Sequence, residues 1–294
     1  MQIRPRRSVL YMPGSNVRAL EKAKSLPADA LILDLEDAVA PEAKATARQQ
    51  VCAAVAGGGY AYRELVIRIN ALDTPWGAAD LAAAAAAAPD AVLLPKPGTG
   101  ADILRAADAL AQAGAPDRTK LWAMIETPLA ILNVAELASA SRHTGGRLAC
   151  FVVGTNDLVK ETRADLSTNR RPALYWLSAT VTAARAFGLD VLDGVYNNFK
   201  DADGFRRECV HGRALGFDGK TLIHPEQIAV ANEVFAPPEA DVAFARKIMA
   251  AFDQPEHKDK GVITVEGRMV ELLHAEMARR TVAIAEAIEQ MRAP

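Results

Sequence analysis

The chain has 294 residues, 50% of them hydrophobic, and 34 lysines and arginines nearly balance 36 aspartates and glutamates, a composition with material for a sizeable core. The near-neutral charge argues against nucleic acid or an anionic membrane as the main partner. Three widely spaced cysteines, Cys52, Cys150 and Cys209, make neither a disulfide framework nor a CxxC zinc site. No stretch approaches the ~20 apolar residues of a membrane span, and the apolar run near the basic N-terminus is too short for a signal peptide. The expected location is the cytoplasm, with reduced thiols.

Short apolar runs alternate with longer segments of helical periodicity along most of the chain. Runs at 8–12, 30–35, 65–69, 91–94, 121–125, 148–153, 189–192 and 219–223 are rich in Val, Ile and Leu, and mostly apolar on both faces, as buried parallel strands are. Helices are predicted between them at 17–24, 42–56, 77–88, 102–113, 134–141, 173–187 and 203–215. The alanine run 82–88 belongs to one of these, because Ala is the best helix former. Eight strands alternating with helices over about 230 residues give the count of an α/β fold of the (β/α)8 TIM-barrel type. A doubly wound open sheet is the competitor, but its GxGxxG fingerprint is absent. A barrel domain is therefore expected over 1–235. Beyond it come a Pro237-Pro238 break, a helix at 240–252, a polar segment at 254–262 and a final helix over 269–291. This C-terminal helical extension, 236–294, reads as too short and fragmented to hold a core alone. It should pack on the barrel or on a neighbouring subunit.

Such a barrel carries its active site at the carboxyl ends of its strands, so the residues that stop each apolar run are the candidates. The second run ends in Asp34-Leu35-Glu36-Asp37, the third in Arg68-Ile69-Asn70 and the fourth in Pro95-Lys96-Pro97. The fifth ends in Glu126-Thr127-Pro128, the sixth in Gly154-Thr155-Asn156-Asp157 and the eighth in His224-Pro225. Acids and bases converge on one rim. Carboxylates crowded in a cleft need a cation or must take up protons. Glu126 and Asp157 close adjacent strands, and two carboxylates, with the other positions left to water and substrate, are the usual provision for Mg²⁺. No histidine or cysteine closes a neighbouring strand, which argues against zinc. Helix capping is the plainer role for Asp157; Glu is a poor cap, so capping explains Glu126 less well. Arg68, on an otherwise apolar strand, needs an anionic partner. That is either Glu36 or Asp37, or a substrate carboxylate or enolate held bidentately. Gly154-Thr155-Asn156 sets successive N–H groups at a helix start, a nest fit for a small carboxylate. Lys96, rigid between two prolines, has a phosphate, a substrate carboxylate or Asp34 as candidate partners. Tyr11, Trp76 and Trp122 read as core or rim packing.

Taken in order, these motifs resemble the HpcH/HpaI aldolase and citrate lyase family. They begin with Arg7-Ser8-Val9-Leu10-Tyr11-Met12-Pro13-Gly14 and Leu33-Asp34-Leu35-Glu36-Asp37-Ala38-Val39. They continue through Arg68-Ile69-Asn70, Pro95-Lys96, Ile125-Glu126-Thr127-Pro128 and Gly154-Thr155-Asn156-Asp157-Leu158 to Gly219-Lys220 and Ile223-His224-Pro225. The match covers nearly the whole chain and is closest to the citrate lyase beta-subunit-like branch. The resemblance implies that Glu126 and Asp157 bind Mg²⁺ and that Arg68 contacts the substrate oxygens. It implies cleavage of a carbon–carbon bond in a 3-hydroxyacyl thioester, such as a citryl-, malyl- or citramalyl-CoA, into an acetyl thioester and a 2-oxo acid. That step turns a hydroxyl into a carbonyl and moves charge onto an enolate, which a metal and an arginine aimed at those oxygens stabilise. Glu36 and Asp37 would hold metal-bound waters or fix Arg68. The thioester carrier, CoA or an acyl carrier, would lie along the rim near Pro13-Gly14. Arg6 and Arg7 read as phosphate contacts or as ordinary surface charge, and His224 as an orienting hydrogen-bond partner rather than a catalyst.

In this family the C-terminal segment reaches a neighbouring subunit, and an Asp after a Gly-Xaa-Met motif completes that neighbour's site. The matching segment here is Gly267-Arg268-Met269-Val270-Glu271, one methylene longer at the acid. The resemblance thus places Glu271 in trans, within a homotrimer or a dimer of trimers. The plainer reading is a solvated acid in the first turn of the final helix. Two other activities fit the same site: hydrolysis of the thioester, or aldol cleavage of free hydroxy-oxo acids without CoA. A non-catalytic scaffold subunit is a third reading, and the joint presence of Glu126, Asp157 and Arg68 argues against it.

Overall fold

The computed structural model describes residues 3–257 and 260–292. The chain forms two compact units, Arg6–Asn232 in one and the remaining described residues in the other. Lys258 and Asp259, in the polar segment expected at 254–262, lie outside the described residues, as do positions 1, 2, 293 and 294.

The larger unit is a closed barrel of eight parallel strands. In order they are β1 (Ser8–Pro13), β2 (Ala30–Asp34), β3 (Glu64–Arg68), β4 (Ala91–Leu94), β5 (Lys120–Ile125), β6 (Leu148–Val153), β7 (Asp190–Asp193) and β8 (Gly219–Leu222). The crossovers carry α1 (Val17–Ala23), α2 (Lys44–Gly57), α3 (Gly77–Ala87), α4 (Gly100–Gln112), α5 (Pro128–Leu132), α6 (Val134–Ser139), α7 (Thr155–Thr162), α8 (Leu174–Ala186) and α9 (Ala202–Leu215). After β8 comes α10 (Ile228–Val234). Every predicted strand is present in the predicted order. The short helices α5 and α7 lie outside the predicted helix ranges, although Gly154-Thr155-Asn156 reads as a helix start. Closure of β8 onto β1 depends on Gly219: a Cβ there would lie 1.9 Å from the Arg6 carbonyl oxygen.

Alternate residues of each strand fill the barrel, as period-2 geometry requires. Ala30 and Ile32 of β2, Val66 of β3, Trp122 and Met124 of β5, and Cys150 and Val152 of β6 share one buried cluster. One further step of two along these rows reaches Asp34, Arg68, Glu126 and Gly154. At the other end of the strands sits Arg6, which donates to both carboxylate oxygens of Glu64 at 2.6 and 2.8 Å and pairs with Asp190. Its guanidinium lies 5.0 Å from the Trp122 ring. Arg7 is held by both oxygens of Asp29 at 2.7 and 2.8 Å. Both arginines are therefore buried structural ions, neither phosphate contacts nor surface charge. The acids that claim them are 58 and 22 residues away, a convergence only the closed barrel creates.

The smaller unit contains α11 (Glu239–Phe252), β9 (Val262–Val265), β10 (Arg268–Glu271) and α12 (Leu272–Arg292). β9 and β10 form an antiparallel hairpin turning through Glu266 and Gly267, both at positive φ, the backbone of a two-residue hairpin loop. Ile263, Val265 and Val270 of the hairpin pack with Ala245, Ile248 and Val282 of the helices. The segment thus gathers a small core of its own, contrary to the expectation from its length, because the unexpected hairpin supplies an apolar layer. Glu271 ends β10, half-buried, with its N–H donating to His274 Nδ1 at 2.9 Å. It precedes α12 and does not lie in that helix's first turn. No helix among the described residues is long and apolar enough to cross a membrane.

Candidate active site

Asp34 and Arg68 are direct cross-strand partners in the register of β2 with β3. Arg68 donates through Nε and Nη2 to the two oxygens of Asp34, both at 2.6 Å. Asp34 also accepts the N–H groups of Glu36 and Ala38, at 2.9 and 3.1 Å, which fixes the turn after β2. Nη1 of Arg68 is left to Asp37 at 3.2 Å and to Glu36, whose Oε2 lies 2.9 Å away without the alignment of a hydrogen bond. The Tyr11 ring lies 4.9 Å from the guanidinium carbon. Asp34 is therefore the main partner of Arg68, and Glu36 and Asp37 share only its third nitrogen.

Lys96 follows β4 with φ +52°, a left-handed backbone that costs a non-glycine residue on the order of 1 kcal/mol. Its N–H donates to Glu126 Oε1 at 2.9 Å, which holds it there. Its ammonium donates to Glu36 Oε1 at 2.7 Å and stands 3.8 Å from Glu126 and 3.9 Å from Asp157. Asp34, one of the expected partners, is not among them. Burial acts against the lysine's charge, but Glu126, Glu36 and Asp157 outweigh it and hold the ammonium above the ordinary lysine range.

Glu126 is fully buried. It is not a cap: Thr127 caps α5, accepting the Ala130 N–H at 3.1 Å. Among the described residues Glu126 Oε2 has no hydrogen-bond partner. A Cβ on Gly154 would lie 2.6 Å from that oxygen and 2.4 Å from Glu126 Cβ, so the glycine keeps the carboxylate's space open. Burial pushes the Glu126 carboxyl up to about 8; Lys96 opposes this, while Glu36 and Asp157 add to it. Asp157 sits in the first turn of α7, whose N-cap is Gly154 with no side-chain bond, so Asp157 is not spent on capping. An orphaned buried carboxylate oxygen, a second acid facing the same ammonium and a space kept by glycine suit a small hard cation. Among the described residues no group of three or more His, Cys, Asp or Glu could hold a metal. Two carboxylates completed by water and substrate are a donor set that fits Mg²⁺.

A cavity of about 310 Å³ opens over these groups. Arg68, Asp37, Glu126 and Asp157 line it, with Gly154, Thr155 and Asn156 at the start of α7. First-turn N–H groups of that helix have no acceptor within it and favour an anion. Tyr11, Met124, Val153, Val195 and Ile223 supply apolar wall. Glu36 and Lys96 are ion-paired to the lining residues. Pro13 and Gly14 are not part of the wall; Gly14 donates its N–H to the Asp34 carbonyl at 2.9 Å, with no room for a Cβ. His224 accepts the Glu226 N–H at 3.3 Å and stacks on Phe199, an orienting role. Sequence reasoning missed Asp34 as the anchor of Arg68 and Tyr11 as a wall residue. Strand parity signals Tyr11, which is two residues after inward-facing Val9.

Residues 7–225 match the HpcH/HpaI aldolase/citrate lyase family. The chain is 48% identical over 287 residues to a (3S)-malyl-CoA thioesterase of Cereibacter sphaeroides (strain ATCC 17025 / ATH 2.4.3), covering 98% of this chain and 97% of that one. It is 36% identical over 288 residues to the citrate lyase subunit beta of Escherichia coli (strain K12), covering 96% and 94%. Among solved structures it is similar to CitE from Mycobacterium tuberculosis in complex with magnesium, acetoacetate and coenzyme A. The TM-score is 0.73 at 30% identity, over 95% of this chain and 97% of that one.

Proposed function

Because the chain belongs to the HpcH/HpaI aldolase/citrate lyase family, we propose that it is a Mg²⁺-dependent enzyme for the CoA thioester of a short 3-hydroxy acid of malyl, citramalyl or citryl type. It cleaves the carbon–carbon bond beside the hydroxyl carbon, giving an acetyl thioester and a 2-oxo acid. The observation that carries the proposal is the buried, unpartnered Glu126 Oε2, set with Asp157 and Arg68 in one cavity. Mg²⁺ held by Glu126 and Asp157 would supply a Lewis acid to the oxygens of the 2-oxo acid. Arg68 is locked by Asp34 along one edge, and its Nη1, which stands beside Asp37 and Glu36, would meet the oxygen where charge develops. Asp37, the exposed acid on the wall, takes the hydroxyl proton, with Glu36 fixing Arg68 and Lys96 beside it. As the carbon–carbon bond breaks, its electron pair passes to the acetyl thioester enolate, and a returning proton completes the product. Thr155 and Asn156, at the start of α7, bind the substrate's free carboxylate.

Hydrolysis of the thioester is the second reading, favoured by the relatives at 48% identity named (3S)-malyl-CoA thioesterase. Incubation with (3S)-malyl-CoA and Mg²⁺ separates the two. Glyoxylate and acetyl-CoA without free thiol mean carbon–carbon cleavage; malate with free CoA thiol means hydrolysis. Absence of both products, also from citramalyl- and citryl-CoA, would reject the proposal.

The proposal extends to location and assembly: a cytoplasmic protein forming a homotrimer or a dimer of trimers, in which Glu271 completes a neighbouring copy's cavity. Its support is the Gly267-Arg268-Met269 motif and the exposed apolar side chains of Met269, Leu272, Leu273 and Met277 around Glu271 in sequence.

A further inference from the structure

A second cavity, of about 380 Å³, lies between the loop entering α8 and one face of α9. Gly204, Arg207, Glu208 and His211, at helical spacing, form one wall, and the segment from Leu166 to Arg171 forms the other. Arg170 belongs both to this wall and to a buried ion cluster. It donates to both oxygens of Asp193, at 2.9 and 2.6 Å. Lys220 donates to Asp193 at 2.9 Å and to Glu208 at 2.7 Å. Within this cluster Arg170 and Lys220 are balanced by Asp193 and Glu208. Arg171 and Arg207 stand outside it: neither side chain makes an ion pair or hydrogen bond with another described residue, although the Arg207 charge acts on Asp201 and Tyr196, and His211 makes none either. Thr168 and Asn169 add neutral donors, while Ser167 is already bonded to Asp165.

Two guanidinium groups outside any ion pair, an imidazole and the Thr168 hydroxyl around one concavity are the chemistry of oxyanion recognition, since arginine forks suit carboxylate and phosphate alike. We propose that this cavity is an anion site separate from the Glu126–Asp157 cavity, taking a compact ligand with two or more carboxylate or phosphate groups. A metal cation is disfavoured there because the acids present are already neutralised. The two cavities are neighbours along the chain leaving β7, where Val195 lines the first and Tyr196 the second.

The test uses full-length protein stripped of divalent cations on a chelating resin. In that state the carboxylates around Arg68 and Lys96 outnumber those two cations, so the first cavity repels polyanions. Isothermal titration with inorganic pyrophosphate in one arm and tricarballylate in the other tells phosphate from carboxylate. At least one arm shows saturable binding, and the His211 ring resonances shift as it is titrated. The paired variant Arg171→Gln with Arg207→Gln weakens that binding by about tenfold or more, as loss of charge-assisted donors requires. Arg118→Gln, at the other end of the barrel, leaves it unchanged. Arg207→Gln alone, with the His211 resonances, serves if the paired variant melts early. No binding in either arm, binding that ignores the substitutions, or silent His211 resonances would overturn the assignment.

Discussion

At the residue scale the site turns on one carboxyl group. Glu126 is buried beside Glu36 and Asp157, and its carboxyl is pushed from 4.5 to about 8. Between those values the folded, metal-free protein holds a proton that the unfolded chain has released, so this group stabilises the fold at low pH. That stability fades as pH rises through about 8. Thermal melts of the metal-free protein should therefore show stability falling from mildly acidic to mildly alkaline pH, and Glu126→Gln should flatten the slope. Near neutral pH, Mg²⁺ binding should displace the Glu126 proton. Calorimetry in buffers of different ionisation enthalpy reads the release directly, and no release would remove Glu126 from the ligand set. Arg68 is the second critical residue. Lysine keeps the charge but cannot span both oxygens of Asp34 while addressing substrate, so Arg68→Lys should lower kcat/KM by about a hundredfold. A fall below about threefold would reduce Arg68 to a structural partner of Asp34.

At the scale of elements, the junction of β6 with α7 shows how the sequence specifies the site. Gly154 sits where the inward row of β6 would next place a side chain, and that space belongs to Glu126. Gly154→Ala should displace the Glu126 carboxylate and weaken Mg²⁺ binding by about tenfold to a hundredfold, with the barrel still folded. Equal Mg²⁺ affinity by titration would show that the carboxylate does not need that space. The barrel was legible in the sequence because each strand is a short run apolar on both faces, and the site because polar residues end those runs on one side. The anchor of Arg68 was not legible: Asp34, Glu36 and Asp37 crowd one turn, and only the register of β2 with β3 selects Asp34. Nor was the β9–β10 hairpin, whose strands are four residues each: β9 alternates exposed and buried residues and β10 does not, a pattern too short to stand out. The burial of Arg6 and Arg7 escaped notice for another reason, since their acids meet them only once the strands close.

At the scale of the whole molecule, the barrel's carboxyl-end cavity gathers Asp34, Glu36, Asp37, Glu126 and Asp157 around Arg68 and Lys96, an excess of negative charge that a divalent cation reduces. The proposed assembly adds Glu271 of a neighbouring copy. Mixing Glu271→Ala protein with Glu126→Gln protein, each inactive alone, should restore part of the activity through intact sites built from two chains. A fully active Glu271→Ala protein would exclude that arrangement. The central claim is that Glu126 and Asp157 hold the metal over the cavity that contains Arg68. Its most direct test is a crystal structure with Mn²⁺ in place of Mg²⁺, the ion located by anomalous scattering. One ion should appear bonded to a carboxylate oxygen of Glu126 and of Asp157, at about 2.0–2.2 Å, with Lys96 displaced from between them. An ion bound to Asp34, Glu36 or Asp37 instead, or Lys96 still bridging the acids at saturating Mn²⁺, would contradict it.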